Sequence, residues 1–406
     1  MRTPTIRNAI AVYLLAMCAV NFYVVWELRT SVMQGYGDFA AFYTAGRLVQ
    51  EGRSAELYDA QAQWELQQEF AASVATRKGP LPYVRPPFEA LLFAPLASFR
   101  YSVAFLIWSL VKLGLLLTVC YMLVGKLEQR LWEPALEAVL VLGFFPIALD
   151  FLQGQDGILL LFILAVVLVL WRRGSDMFAG CILALGLFKF HLVIPLALIF
   201  LLRRQYKLLV GFAAVALAEV ALSIAMVGWT GFWNYPKYLL ETANNPGTGM
   251  VDLRVMPNLR ALIAMSVGWN MPLWIAVIIA AAGAWGVAWL WSVEGRDPEG
   301  EAISFSLAII TAIVTSYYAY GQDMTLILLP ILLLQRSVLN QAELSGLPRR
   351  LYLFAIGILM LAPLYWWLLF QSRALYLGLS LPLIATLVGL AWMGKSRRRT
   401  LSARVA

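Results

Sequence analysis

Apolar stretches long enough to cross a lipid bilayer recur from one end of the chain to the other, and nothing else in the sequence constrains its fold as strongly. A spanning helix needs about 20 consecutive, mostly apolar residues. Runs of that order lie near 8–27, 102–124, 135–152, 157–171, 208–229, 271–292, 302–321, 323–336, 351–370 and 374–393. Inside hydrocarbon a backbone must satisfy its own polar groups, so each run is read as a helix. Charged residues make up only 13% of the 406, against about 25% in soluble domains, too few to clothe a soluble surface. The chain is therefore expected to be an all-α polytopic integral membrane protein with about 10–12 transmembrane helices.

One segment differs from the rest. Over 177–202 two apolar halves, Met177–Phe188 and Leu192–Leu202, are interrupted by Lys189, Phe190 and His191, with Pro195 just beyond. Each half is too short to span, so the segment reads as a broken helix hairpin or a strongly tilted helix pair. Basic residues set orientation, because short cytoplasmic loops carry the Lys and Arg excess. Arg2 and Arg7, Lys126–Arg130, Arg172-Arg173, Arg203-Arg204 with Lys207, Arg336 to Arg350 and Lys395–Arg399 all fall on one side if 177–202 enters and leaves from that side. Ten spans then leave both termini cytoplasmic in a cell inner (plasma) membrane. The first apolar run is followed by no small-residue cleavage site, so it reads as a span and not as a removed signal peptide. The two halves of the chain do not align with each other, which disfavours transporter folds built from repeats.

Several function classes drop out early. Three cysteines, each within an apolar run, make neither a disulfide framework nor a thiolate metal site. The single histidine, His191, excludes two-histidine zinc motifs. The net charge of +8 sits largely in short loops, so it reports orientation and anionic lipid rather than nucleic acid.

The largest non-membrane segment is 35–87, on the external side. Asp38 to Gln50 has Phe39, Phe42, Tyr43, Gly46 and Val49 on one helical face, with Gly52 placed as a C-terminal cap. A second amphipathic helix is expected over 59–76, and such helices lie in the interface plane. The loop returns through Tyr83-Val84-Arg85-Pro86-Pro87-Phe88, where the prolines enforce extended backbone. Asp38 stands at the start of the first of these helices. An Asp there serves as an N-cap, and the same carboxylate, held ionised, is placed as a general base at a membrane surface would be. A second external loop, 229–258, contains Asn244-Asn245-Pro246-Gly247 and ends in Met256-Pro257-Asn258.

These residues resemble a known family. Gly37-Asp38-Phe39-Ala40-Ala41-Phe42-Tyr43-Thr44-Ala45-Gly46-Arg47, then Glu51-Gly52 and Leu57-Tyr58, are similar to the first loop of glycosyltransferase family 87, the DUF2029 group of membrane GT-C enzymes. These include polyprenol-phosphate-mannose-dependent α-mannosyltransferases of actinobacteria. Tyr83 to Phe88 with Pro95, Gln153-Gly154-Gln155, Lys189 with Pro195, Met256-Pro257-Asn258-Leu259-Arg260 and Ser316 to Asp323 follow the family's order, from about residue 30 to 335. Where many members carry a histidine after the Ser316 span, this chain has Gln322-Asp323, so that histidine's role does not carry over.

The resemblance implies a single GT-C-like domain over 1–406 with its active site at the external, periplasmic face. It implies a polyprenyl-phosphate sugar donor and inverting transfer of a hexosyl, above all mannosyl, group to a lipid or glycan acceptor of the cell envelope. Asp38 matches the family's catalytic Asp. A glycosyl phosphate carries its own leaving group, so the demand falls on one base and on cations that hold phosphate. No cofactor or metal cluster is indicated; Asp156 and Asp323 leave a divalent ion open.

Candidate substrate or phosphate contacts are Tyr43, Arg85, Gln155, Lys189, His191, Asn258, Arg260, Gln322 and Asp323. Each has a structural alternative: lipid-headgroup contact for Arg85, a snorkelling lysine and a hydrogen-bonded histidine at the break, and ordinary turn chemistry for the amides and Asp323. Lys112 and Glu219 are ionisable groups within apolar spans. They are expected to pair with each other across neighbouring helices, or else to serve a transporter or lipid flippase, the competing reading. Tyr365-Trp366-Trp367 reads as an interfacial aromatic belt.

Overall fold

In the computed structural model, residues 4–71, 79–124, 132–244, 251–291, 298–340 and 346–405 are described, and every regular element among them is a helix. The basic run at 126–130 and the turn at 245–247 lie outside the described residues. The helices that matter for the site are α1 (Pro4–Met33), α2 (Phe39–Gln50), α3 (Ala60–Phe70), α4 (Tyr101–Val124), α5 (Trp132–Gly143), α6 (Phe145–Gln153), α7 (Gly157–Arg172), α8 (Asp176–Ala184), α9 (Phe190–Leu202), α10 (Tyr206–Asn244), α11 (Leu259–Val267), α12 (Leu273–Leu290) and α13 (Pro298–Thr315). Two 3₁₀ segments, Pro87–Glu89 and Gly321–Ile327, contribute to the site as well.

Five helical stretches are long and apolar enough to cross a membrane: Asn8–Met33, Tyr101–Leu123, Tyr206–Thr242, Leu273–Leu290 and Leu375–Ser396. Bent pairs at 136–153, 176–202 and 347–371 raise that number to eight. The chain is thus a polytopic membrane protein. Ten separate runs are expected from the sequence; the 176–202 pair, expected as a broken hairpin, enters the eight, while three of the ten, 157–172, 302–321 and 323–336, do not. The helices there are short or begin with acidic residues, and protein surrounds them. Along α13, Ile303, Phe305, Leu307, Ile310 and Ile313 are all buried, because the helix is packed among α9, α12 and the C-terminal helix Ser380–Val405. By contrast, α1 and α12 expose Phe22, Trp26, Trp274, Trp285 and Trp289, apolar and aromatic surface suited to acyl chains and headgroups.

The ends of the bundle differ in character. At one end Trp171 stacks edge-on to Trp291 at 5.6 Å and to Phe200 at 6.2 Å, and Arg172 pairs with Glu301 at 3.2 Å. Helices α8 and α9 lie at 59° to each other. The break between them, at Leu187–Lys189, sits at the opposite end, where Lys189 meets the turn before α7. The first loop gathers at this second end.

Helix α2 is more enclosed than an interfacial helix: Phe39 to Gly46 and Leu48 are all buried. Its one long basic side chain, Arg47, reaches Glu51 and Glu69 at 2.6 Å each. Gly52 follows α2 with φ +72°, as a helix C-terminus favours. The second loop helix, α3, is capped by Asp59, which accepts from the Gln61 and Ala62 amides. It ends at Phe70; residues 72–78 are outside the described residues.

The expected Lys112–Glu219 pair does not form. Lys112 instead donates to Asp150, 3.1 Å away on α6. Glu219 is buried on α10, where the hydroxyl of Ser223 one turn on bonds the Glu219 carbonyl at 2.8 Å. Helix α4 faces α6 and α7, so the acid within reach of Lys112 is the one at the end of α6.

Candidate active site

The site is built where the first loop docks on the turn between α6 and α7. Helix α6 stops at Gly154, whose φ of +64° reverses the chain, and the Gln155 amide bonds back to the Asp150 carbonyl at 3.0 Å. The two strands of chain touch backbone to backbone. A Cβ on Gly37 would stand 2.9 Å from the Leu152 carbonyl, and one on Gly154 would stand 2.5 Å from Phe39 Cβ. Only glycines allow that approach, and it brings Gly37-Asp38 against Gln153-Gly154-Gln155.

Asp38 begins α2 with helical backbone angles and makes no side-chain cap bond. The capping role expected of it is therefore replaced by a different one. Its amide donates to Gln153 Oε1 at 3.2 Å, and its carboxylate accepts from Gln155 Nε2 at 2.5 Å. Burial pushes the Asp38 carboxyl up from its ordinary value; the Gln155 donor and the charge of Arg85 oppose it. A carboxylate tuned upward in this way accepts protons better than an exposed aspartate.

A buried charge cluster backs Asp38. Arg85 donates to Gln155 Oε1 at 3.1 Å and lies 3.0 Å from Asp156. Lys189 pairs with Asp156 at 2.7 Å and with Asp323 at 2.5 Å. Asp323 also accepts from the Tyr320 amide, which fixes the entry to the Gly321–Ile327 turn. Glu89 packs beside Arg85 and Asp156. Its burial, then the Asp156 charge, push its carboxyl well above the usual carboxylate range, so it stays protonated. Burial works against ionisation of Asp156 too, but Arg85 and Lys189 outweigh it and hold that carboxyl down at about 2. The cluster behind Asp38 comprises two ionised acids, Asp156 and Asp323, two cations, Arg85 and Lys189, and one neutral acid, Glu89.

A cavity of about 370 Å³ opens onto this cluster. Asp38, Arg85, Gln155, His191, Gln322 and Asp323 contribute its polar wall, joined by Tyr318 and Tyr320. Leu81, Pro82, Leu239, Val251, Val255 and Leu369 make the rest apolar. Such a cavity suits a ligand that is polar at one end and greasy at the other.

Six of the ten residues singled out in the sequence thus line one cavity, and Lys189 stands directly behind it. The other three do not line it and are held by structural contacts. The Tyr43 hydroxyl donates to the Phe99 carbonyl at 2.8 Å, and its ring packs on Phe70. Asn258 caps α11 through the Ala261 amide and donates to the Ser316 carbonyl. Arg260 lies 3.7 Å over the Tyr317 ring and donates to the Tyr317 carbonyl and to Asn270. Glu89, Asp150 and Tyr320 were not among the candidates. Glu89 and Asp150 are lone acids in apolar surroundings, the same signal that singles out Lys112 and Glu219. Among the described residues, no group of three or more His, Cys, Asp or Glu side chains is placed to hold a metal ion.

The family model of glycosyltransferase family 87 matches residues 83–317, more than half of the chain and including Arg85, Gln155, Asp156 and Lys189. The match begins at residue 83, beyond Asp38 and near the end of the loop that carries it. No curated protein and no solved structure matches the chain significantly. The chain belongs to glycosyltransferase family 87, and it is a membrane glycosyltransferase.

Proposed function

We propose that this transferase moves a hexosyl, and specifically a mannosyl, group from a polyprenyl-phosphate-linked donor to a lipid or glycan acceptor, with inversion and with Asp38 as general base. The observation that carries the reading is the placement of a half-buried, upward-tuned carboxylate on the wall of a cavity that also presents Arg85 and a long apolar face. Asp38 takes the proton of the acceptor hydroxyl. The acceptor oxygen forms its bond to the anomeric carbon from the face opposite the leaving group. The bond from that carbon to the phosphate oxygen breaks, and its electron pair departs with the polyprenyl phosphate. The donor phosphate is charged already, so its departure needs cations nearby more than a proton, and Arg85 is the guanidinium at the cavity wall. The apolar wall from Leu81 to Leu369 accepts the first isoprene units.

The same reading puts both termini and the Arg172–Arg203 end of the bundle on the cytoplasmic side, following the basic excess. The cavity then faces outward. A donor flipped across the inner membrane reaches it from the lipid, and nucleic acid has no part.

The test uses the full-length protein in lipid vesicles, with short-chain polyprenyl-phosphate mannose, glucose and galactose as donors and total membrane lipid as acceptor. Asp38→Asn is expected to lower turnover by about 10³-fold or more, as loss of a general base does, while donor binding and melting temperature stay close to those of the parent. Turnover by Asp38→Asn within tenfold of the parent would sink the assignment.

A further inference from the structure

The candidate base is held by a turn, and that turn is held from behind by α4. Trp108 and Lys112 stand four residues apart, on one face of that helix. The Trp108 indole donates to the Gly154 carbonyl at 2.9 Å. The Lys112 ammonium donates to the Asp150 carbonyl at 2.8 Å and to the Asp150 carboxylate at 3.1 Å. Both side chains are buried, and neither lines the cavity. The last carbonyls of a helix have no partner within it, and a cation beside them also meets the negative end of the helix dipole. Here Lys112 takes up the Asp150 carbonyl in the last turn of α6, and Trp108 the carbonyl of Gly154, the residue that reverses the chain. The Asp150 carbonyl that binds Lys112 is the one that accepts the Gln155 amide. Gln155 in turn donates to Asp38.

We infer that Trp108 and Lys112 are positioning residues for the transfer reaction: they clamp the end of α6 so that Gln155 holds the Asp38 carboxylate on the cavity wall. The inference rests on Asp38 being the base. It accounts for a lysine buried deep in an apolar helix without giving it a transport role. The chain of contacts runs from α4 through two backbone carbonyls to one side-chain amide, so its effect is on the orientation and proton affinity of Asp38. Donor affinity is affected little, because Arg85 meets the chain only at Gln155 Oε1 and is held separately by Asp156 at 3.0 Å, and the apolar wall is not part of it.

Removing Lys112 alone leaves the Asp150 carboxylate buried without its cation, which endangers folding. Two variants avoid this: Trp108→Phe, and Lys112→Met combined with Asp150→Asn. In the vesicle assay described above, Trp108→Phe is expected to lower kcat by about 3–10-fold, the worth of one buried hydrogen bond. The double variant is expected to lower it by about 10–100-fold, as a displaced catalytic group does. In both, the donor KM stays within twofold of the parent. The acid limb of the kcat profile moves to higher pH, because the Gln155 donor that favours ionised Asp38 is no longer held in place. Made on a Gln155→Ala background, Trp108→Phe should cost nothing further.

A full additional loss on that background, or an unmoved acid limb with only a lower melting temperature, would show a purely structural role and overturn the inference. Asp38→Asn separates the two levels of the argument. If that variant is inactive while Trp108→Phe behaves as the parent, the clamp is wrong and the base stands. If Asp38→Asn turns over normally, both fall.

Discussion

Adding one methyl group at Gly154 should disable the enzyme, and the structure says by how much and through what. The Cβ of Gly154→Ala would lie 2.5 Å from Phe39 Cβ and 3.0 Å from Phe105 Cε2. Carbon atoms in contact sit about 3.5–4.0 Å apart, so the turn and α2 must separate by about 1 Å. Phe39 cannot move aside alone, since the clashing atom is its Cβ, fixed to the backbone of a helix with no exposed surface at that residue. Two costs add. The left-handed conformation costs an L-residue about 1–2 kcal/mol, and overpacking a filled site costs about 1–3 kcal/mol. The stability loss is therefore about 2–5 kcal/mol. A shift of about 1 Å between Gln155 and Asp38 should lower kcat by about 10²-fold. Gly52→Ala is the matched control. Gly52 has φ +72°, yet a Cβ there meets nothing within 4 Å. It should show the conformational cost alone and keep its turnover. Melting of both variants in detergent, beside kcat in vesicles, tests the reasoning. Equal melting temperatures and equal rates for the two would refute it.

Three further outcomes follow from the charge cluster. Glu89→Gln should melt within about 1 kcal/mol of the parent, since it replaces an acid that is already neutral by its neutral isostere; a loss of several kcal/mol would show that Glu89 is ionised. Asp156 ionises at about 2 in the folded protein against an ordinary 3.8. Its pairing therefore adds stability that is present above pH 3.8 and lost as pH falls toward 2. Arg85→Gln should flatten that part of a melting-temperature profile taken from pH 6 down to pH 2, and a profile parallel to the parent's would contradict the pairing. Lys189→Met leaves Asp323 without its cation and Asp156 with Arg85 alone, at a cost of about 3–5 kcal/mol. Adding Asp323→Asn should recover a large part of it, and a failure to recover any would show that Lys189 is not balancing Asp323.

What the sequence revealed and what it concealed divide along physical lines. The spanning helices were legible because lipid imposes a length and a composition on each of them separately. The turn at Gly154-Gln155 was legible, but its contact with Gly37-Asp38 was not, since it joins segments more than a hundred residues apart. That long-range hydrogen bond is also why Asp38 does not cap α2: its carboxylate is drawn sideways to Gln155 and not toward its own helix. Lys112 and its partner Asp150 give the same signal, a lone charge in an apolar run, but nothing in the sequence says that the two runs are neighbours. Pairing Lys112 with Glu219 failed for that reason. The order of short helices around α13 was hidden for a related reason. A helix buried in protein need not be as long or as uniformly apolar as one bathed in lipid.

Lys189 has partners that emerge from the ribosome at very different times. Asp156 is synthesised shortly before it, on the far end of the neighbouring helix, so the ammonium enters the membrane with a counter-ion already beside its landing point. Asp323 comes 134 residues later, roughly 7–27 s at ordinary elongation rates. During that interval Asp156 is the partner already synthesised for Lys189, and the part of the cavity wall that includes Tyr320 and Gln322 does not yet exist. The cluster is therefore a record of assembly order as well as a feature of the finished enzyme. A chain ended before residue 323 could insert its early helices and still present no site, so activity itself certifies that the late helices have arrived and docked.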